Sequence, residues 1–210
     1  MTTVATVDAR APRIPLLAPD LMSPEQRAIH DEVLNGPRGQ MIGPLRAAIH
    51  SPGLAKVWSQ LGEFLRYRTC LPKALNELAI ATTGRRWSSE VEWWVHGRAA
   101  IEHGIDAGIV AALRDLRSPR FTDRAQWEVY EFTRQLQQTG SVEQPLYDDV
   151  LARHGTAGVV ELTAVIGYYT MVSITLNAHQ LPLPDGVAPE LVEPGRLVEL
   201  MPAEPVDDQG

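Results

Sequence analysis

The chain contains one cysteine, Cys70, in 210 residues. A lone thiol cannot close an internal disulfide, form a Cys-x-x-Cys redox pair or build a multi-thiolate zinc site. Basic side chains are in the minority, 19 against 26 acidic, and the net charge of −7 argues against a dedicated nucleic-acid or anionic-membrane binder. No apolar run reaches the roughly 18 to 20 residues of a membrane span. The segment from Met1 to Arg13 lacks the basic, apolar and small-residue regions of a secretory leader. Neither Gly-x-Gly-x-x-Gly nor the P-loop pattern occurs, so a nucleotide cofactor is unsupported. Strand signals are missing too: no alternation is sustained, and Asp185-Gly186 lies between prolines. A hydrophobic content of 44% over this length suffices for one sizeable core. These features point to a cytoplasmic globular protein without a cofactor and without nucleic-acid or membrane partners.

What is present is helix punctuation. Residues 1–20 are rich in Pro, Ala and Thr and read as an extended arm. Ser23-Pro24-Glu25-Gln26 is a helix start, with Ser as N-cap, Pro at the first helical position and Gln three after the cap. That helix stops at Asn35-Gly36-Pro37. A short helix follows from Leu45 to His50. The next, from Ser51-Pro52 to about Arg68, lines up Leu54, Val57, Trp58, Leu61, Phe64 and Leu65 on one stripe. Leu71-Pro72 opens a helix to Gly84, and Ser88-Ser89-Glu90 caps another that ends at His103-Gly104. Asp106 to Leu116, Thr122-Asp123 to Gly140 and Glu143 to His154 are further helices. Thr156 to about Gln180 is apolar nearly all round, the mark of a helix buried in a core or an interface. Prolines at 182, 184, 189, 194, 202 and 205 make residues 181–210 an irregular tail. The expectation is one all-α domain over 21–180.

The polar residues that most need a reason lie between Leu75 and Ala100. Glu77 stands on the first helix of this hairpin, while Glu92 and His96 stand on the second at i,i+4, sharing a face. At about 1.5 Å rise per residue, antiparallel packing brings all three to one level. Two carboxylates and an imidazole among apolar neighbours can shift one another's pKa and act as an acid–base group. The same residues could instead form a structural contact, or supply three metal ligands, although no two-His motif supports a metal. Spacing leaves these alternatives open.

The segment resembles the carboxymuconolactone decarboxylase family, whose helical fold is shared with alkylhydroperoxidase-D-like proteins. The family pattern pairs a Glu in an ELAI-type helix with a His nineteen residues later, here Glu77 and His96. In the redox-active branch a Cys-x-x-Cys stands seven and four residues before that His. Here those positions are Ser89 and Glu92, so the resemblance implies no disulfide peroxidase chemistry. Glu92-Trp93-Trp94-Val95-His96 matches the EW-x-x-H element of the decarboxylase-like branch. Asn76 departs from the pattern, where an Arg is expected. The implied activity is cofactor-free decarboxylation or isomerisation of a small carboxylated or lactone substrate. In it His96 is the acid or base, Glu92 orients it, and Glu77 is a second proton-transfer group or anchor. The alternative is a non-catalytic ligand-binding or scaffold member of the same fold.

Further candidates surround this hairpin. Arg85 and Arg86, placed in its turn, could fork onto a substrate carboxylate. Arg46, His50, Arg66, Tyr67 and Arg68 flank the preceding helix and could line the same cavity. Tyr168, Tyr169 and Asn177 could offer a phenol or amide to a ligand. His103 beside Gly104 reads as a C-cap, and Cys70 as a small buried hydrophobe. The apolar last helix and the tryptophans at 58, 87, 93, 94 and 127 exceed what one small core covers, which predicts a homo-oligomer. The resemblance implies a trimer or hexamer, with the arm or tail wrapped around a neighbour.

Overall fold

In a computed structural model describing residues 11–206, the chain forms eight α-helices, and among the described residues there is no strand. The first ten residues of the arm and the last four of the tail lie outside the described residues. A 3₁₀ turn at Pro19–Leu21 precedes α1 (Pro24–Asn35). There the Ser23 hydroxyl accepts from the Gln26 N–H at 3.2 Å, and the Gln26 side chain accepts from the Ser23 N–H at 2.9 Å, so the capping box forms. Next come α2 (Leu45–Ala48), α3 (Pro52–Tyr67), α4 (Lys73–Arg86) and α5 (Glu90–Glu102). The chain then builds α6 (Ala107–Arg114), α7 (Arg124–Thr139) and α8 (Gln144–His179). Asp106 and Asp123 cap α6 and α7 by accepting from backbone N–H groups, and Gly140 closes α7 in the left-handed conformation.

The α4–α5 hairpin is the centre of the fold. Helix α4 is buried from Leu75 to Arg85, enclosed by α5, α7 and α8. Gly84 does not end it, as the turn signal suggests; the helix continues through Arg85 and Arg86. The glycine is needed for proximity, because a Cβ at position 84 would lie 3.0 Å from the Glu92 Cβ. This close approach sets the register that brings Glu92 and His96 alongside α4. The reversal is made at Ser88, whose φ is 43°, and the Ser89 hydroxyl caps nothing.

Helix α8 is bent at Gly155, whose φ of 69° and ψ of 176° leave the helical region. Helical hydrogen bonding is resumed beyond it, so the stop at His154-Gly155 becomes a kink. The helix is long and apolar enough to cross a membrane, but 50% of its most apolar window is buried against the other helices.

Burial corrects several expectations. The α3 stripe is split: Trp58 and Leu65 are in the core, whereas Leu54, Val57, Leu61 and Phe64 are exposed. Helix α8 likewise leaves Val160 and Ile174 exposed, so it is not encircled by its own chain. No tryptophan is exposed among the described residues, so the surplus apolar surface is not indole. Cys70 is exposed rather than buried, because it precedes α4 at the surface, where its N–H donates to Glu161. His103 takes its expected C-cap place, with Nδ1 2.8 Å from the Ala99 carbonyl.

The tail is irregular yet fastened to its own domain. Gly195 donates to the Ser88 carbonyl, Val198 to that of Arg86, and Leu200 to the Gln138 side chain. Leu191, Val198 and Leu200 are buried. The arm from residue 11 also lies on its own chain, with Arg13 donating to the His179 carbonyl and His50 bonded to that of Pro15. The described parts of arm and tail thus pack on this domain.

Candidate active site

Helices α4 and α5 bring Glu77, Glu92 and His96 together in the interior, each 4% exposed or less. His96 Nδ1 lies 2.6 Å from Glu77 Oε2, and the other Glu77 oxygen is 2.6 Å from Lys73 Nζ. His96 Nε2 faces Glu92 Oε2 at 3.4 Å. The roles expected of the two carboxylates are therefore exchanged. Glu77, on the neighbouring helix, fixes the ring, while Glu92, one turn away on the same helix, meets the opposite nitrogen. The i,i+4 spacing gives proximity, but the rotation of the ring toward α4 decides which nitrogen each carboxylate sees.

The two carboxylates are driven in opposite directions. Burial alone would raise Glu77, but the charge and hydrogen bond of His96, with Lys73 behind them, hold it down at about 2. Ionised Glu77 accepts a hydrogen bond from the Nδ1 side of the ring, and the other ring nitrogen, Nε2, is turned toward Glu92. Glu92 is raised, because burial outweighs the charges of His96, Arg66 and Arg38. Its Oε2 has no hydrogen-bond partner.

Glu92 and His96 border a narrow cleft with a cavity volume of about 30 Å³. Val91, Val95 and Val172 supply apolar walls, Arg38, Arg66 and Tyr168 polar ones, and the segment Ile42 to Pro44 the rim. The Tyr169 ring stands edge-on to His96 with centroids 5.0 Å apart. Burial pushes its phenol well above the usual range and lifts that of Tyr168 to about 12, so both are neutral hydrogen-bonding groups at pH 7.

Of the candidate binding residues, Arg66, Tyr168 and Tyr169 line this cleft and the others do not. Arg85 is fully buried, donating to the Arg114 carbonyl at 3.0 Å and the Ser88 hydroxyl at 2.8 Å; it holds the hairpin turn to α6. Arg86 donates to the Val198 carbonyl and anchors the tail. Asn177 donates to the Trp87 carbonyl at 2.7 Å. Tyr67 is exposed beneath Arg66 and Lys73, and Arg46 is half-buried on α2 away from the cleft. Asn76 ties α4 to the Leu65 carbonyl of α3 and does not line the cleft. Arg66, one of the flanking residues, does line the cleft. Arg38 was not anticipated; a single Arg between Gly36-Pro37 and Gly39 carries no periodic signal.

Among the described residues no three His, Cys, Asp or Glu side chains are placed to hold a metal ion. Glu77 already serves Lys73 and His96, and only Glu92 and Nε2 remain. A second groove, of about 230 Å³, lies across α5, lined by Trp93, Gly97, Ile101 and Val110. Its rim charges are already satisfied, Arg98 by Glu190 and Arg114 by Asp115.

This arrangement of helices is the alkylhydroperoxidase-D-like fold, the fold of the carboxymuconolactone decarboxylase family. A peroxidase-related protein from Ralstonia eutropha JMP134 superposes with a TM-score of 0.66 at 14% identity, over 83% of this chain and 93% of that one. A peroxidase-related protein from Silicibacter sp. TM1040 gives 0.64 at 14% identity, over 86% and 95%. The debrominase Bmp8, in complex with 2,3,4-tribromopyrrole, gives 0.66 at 12% identity, over 84% and 93%. No protein-family model and no curated protein matches the chain. At these identities the likeness is one of fold.

Proposed function

We propose that the protein is a cofactor-free enzyme that moves protons at carbon in a small carboxylated or lactone substrate, by decarboxylation or isomerisation. The observation that carries this reading is the chain Lys73–Glu77–His96–Glu92, buried from Glu77 onward and ending in an unpartnered carboxyl oxygen at a cavity. In isomerisation, Nε2 takes a proton from the carbon beside a carbonyl, and the electron pair moves into an enolate. Glu92 then returns a proton at the vinylogous carbon, and the proton on Nε2 passes to Glu92. In decarboxylation, the C–C bond to the leaving carboxylate breaks, its electrons enter the carbonyl, and the Glu92 proton goes to the carbon as CO₂ departs. Water then restores the proton. In isomerisation Glu77 stabilises the imidazolium; in decarboxylation it holds the ring in place. Solved proteins of this fold include a debrominase, which supports an enzyme reading without indicating this reaction.

General acid–base help is typically worth about 10²- to 10⁴-fold. His96→Ala should therefore lower turnover of a substrate found by screening small oxo-acids and lactones by at least about 100-fold, with the circular dichroism spectrum unchanged. Near-wild-type turnover in that variant would remove the mechanism. One observation favours a second reading, a non-catalytic ligand site: the cleft, with a cavity volume of about 30 Å³, has room for little more than water as it stands. Tight binding of a small acid without any turnover would select it.

We further propose that the exposed apolar faces of α3 and α8 pair with other copies of the chain, as a trimer or hexamer. Leu54, Val57, Leu61 and Phe64 with Val160 and Ile174 are the residues concerned. Light scattering showing a dilution-stable monomer at micromolar concentration would refute this.

A further inference from the structure

The cleft beside His96 contains an imbalance that its own residues do not resolve. Arg38 and Arg66 both line it, and among the described residues neither has a carboxylate within salt-bridge distance. Arg38 Nε and Nη2, Arg66 Nε and Glu92 Oε2 are four of the twelve buried side-chain polar atoms without a hydrogen-bond partner among the described residues. Buried donors are nearly always satisfied, and a guanidinium in a desolvated wall costs stability unless an anion faces it. Two such guanidinium groups on one small cleft repel each other, and the only carboxyl in its lining, Glu92, is disfavoured as an anion by burial. The large groove across α5 shows the contrast, since its arginines already have carboxylates.

The arginines are also built into place. Arg66 is near the end of α3, where the Lys73 ammonium donates to its carbonyl at 2.6 Å and its guanidinium lies 5.3 Å from the Tyr67 ring centre. Arg38 comes from the segment between α1 and α2 and lies in a notch of α3 beside the Tyr168 hydroxyl. The notch exists because residue 62 is glycine: a Cβ there would come within 2.4 Å of Arg38 Nη2. Gly39 and Gly43, at φ of 66° and 61°, let the segment fold back over the cleft. One helix thus supplies the first guanidinium and the recess for the second.

From this geometry we infer that Arg38 and Arg66 form a seat for the carboxylate of a small organic acid, held with its reacting carbon beside Glu92 and His96. The inference rests on the proton-transfer reading for the direction of the substrate but not for the existence of the seat. Guanidinium forks match planar carboxylates, and such charge-assisted bonds are about twice as strong as neutral ones. A carboxylate between two cations is retained as an anion, because departure as CO₂ would abandon both. The carboxylate in this seat is therefore the handle of the substrate, and the bond that changes lies elsewhere in it.

The test is calorimetric titration of the full chain with pyruvate and with pyruvamide, its uncharged isostere. The expected result is that pyruvate binds and pyruvamide binds at least about 10-fold more weakly. Arg38→Met and Arg66→Met should each weaken pyruvate by at least about 10-fold, with Arg38→Lys in between. His96→Ala should retain pyruvate binding, which separates the seat from the proton-transfer group. Equal binding of acid and amide, or pyruvate affinity unchanged in both methionine variants with circular dichroism intact, would overturn the seat. That outcome would leave the reading of His96 standing, which fails on turnover alone.

Discussion

Replacing each buried glutamate by glutamine should shift stability in opposite directions. Glu77 is 1% exposed and receives both Lys73 Nζ and His96 Nδ1 at 2.6 Å. Its fall from an ordinary 4.5 to about 2 corresponds to a native-state preference for the ionised form of about 3 kcal/mol. Glu77→Gln forfeits that preference and leaves Lys73 without its carboxylate. It should therefore cost about 3 kcal/mol at pH 7. Glu92 is raised by burial, so ionising it costs the folded state, and its Oε2 has no partner to lose. Glu92→Gln should leave stability at pH 7 equal to or above wild type while impairing turnover. The two variants should also differ with pH. Because Glu77 has a folded value below its unfolded one, its contribution is complete above pH 4.5 and lost as pH falls toward 2. The deficit of Glu77→Gln should narrow over that range. Glu92 has the opposite sign: its contribution is present below its unfolded value and lost as pH rises through its raised one. The advantage of Glu92→Gln should therefore grow with pH. Urea unfolding at one protein concentration, repeated from pH 7 downward, measures both. Glu77→Gln as stable as wild type at pH 7, or both variants destabilised alike, would refute the reasoning.

Gly62→Ala should destabilise by about 1 to 3 kcal/mol in thermal unfolding, since its Cβ would lie 2.0 Å from the Tyr168 hydroxyl. Truncation after Gln180 removes the buried Leu191, Val198 and Leu200, at about 1.5 kcal/mol or more each. The melting temperature should then fall by about 10 °C or more in a scanning experiment. Thiol-supported peroxide reduction should be absent, and Cys70→Ser should change nothing. Cys70 has no partner thiol, and the neighbouring Glu161 raises its pKa and disfavours the thiolate.

Local chemistry settled much of this protein in advance. Ser23, Pro24 and Gln26 start α1, the Asp106 and Asp123 caps start α6 and α7, and Gly140 ends α7, because these residues satisfy or release backbone groups within one turn of themselves. The all-helical class and the absence of a dithiol follow from residue types alone. So does the shared helix face of Glu92 and His96, since four residues are close to one turn. Orientation and company were decided only by tertiary packing. A periodic pattern says that Leu54 and Leu65 share a broad apolar face, but only the helices packed against α3 leave one exposed and cover the other. Arg85 looks like a turn residue, yet α6 and Ser88 enclose it. Which nitrogen of His96 meets Glu77 depends on how closely α5 approaches α4 at Gly84, an interhelical distance that no spacing encodes. Arg38 joins Arg66 across 28 residues of sequence because Gly62 leaves room for it, and the packing of distant segments is a property of volumes in three dimensions.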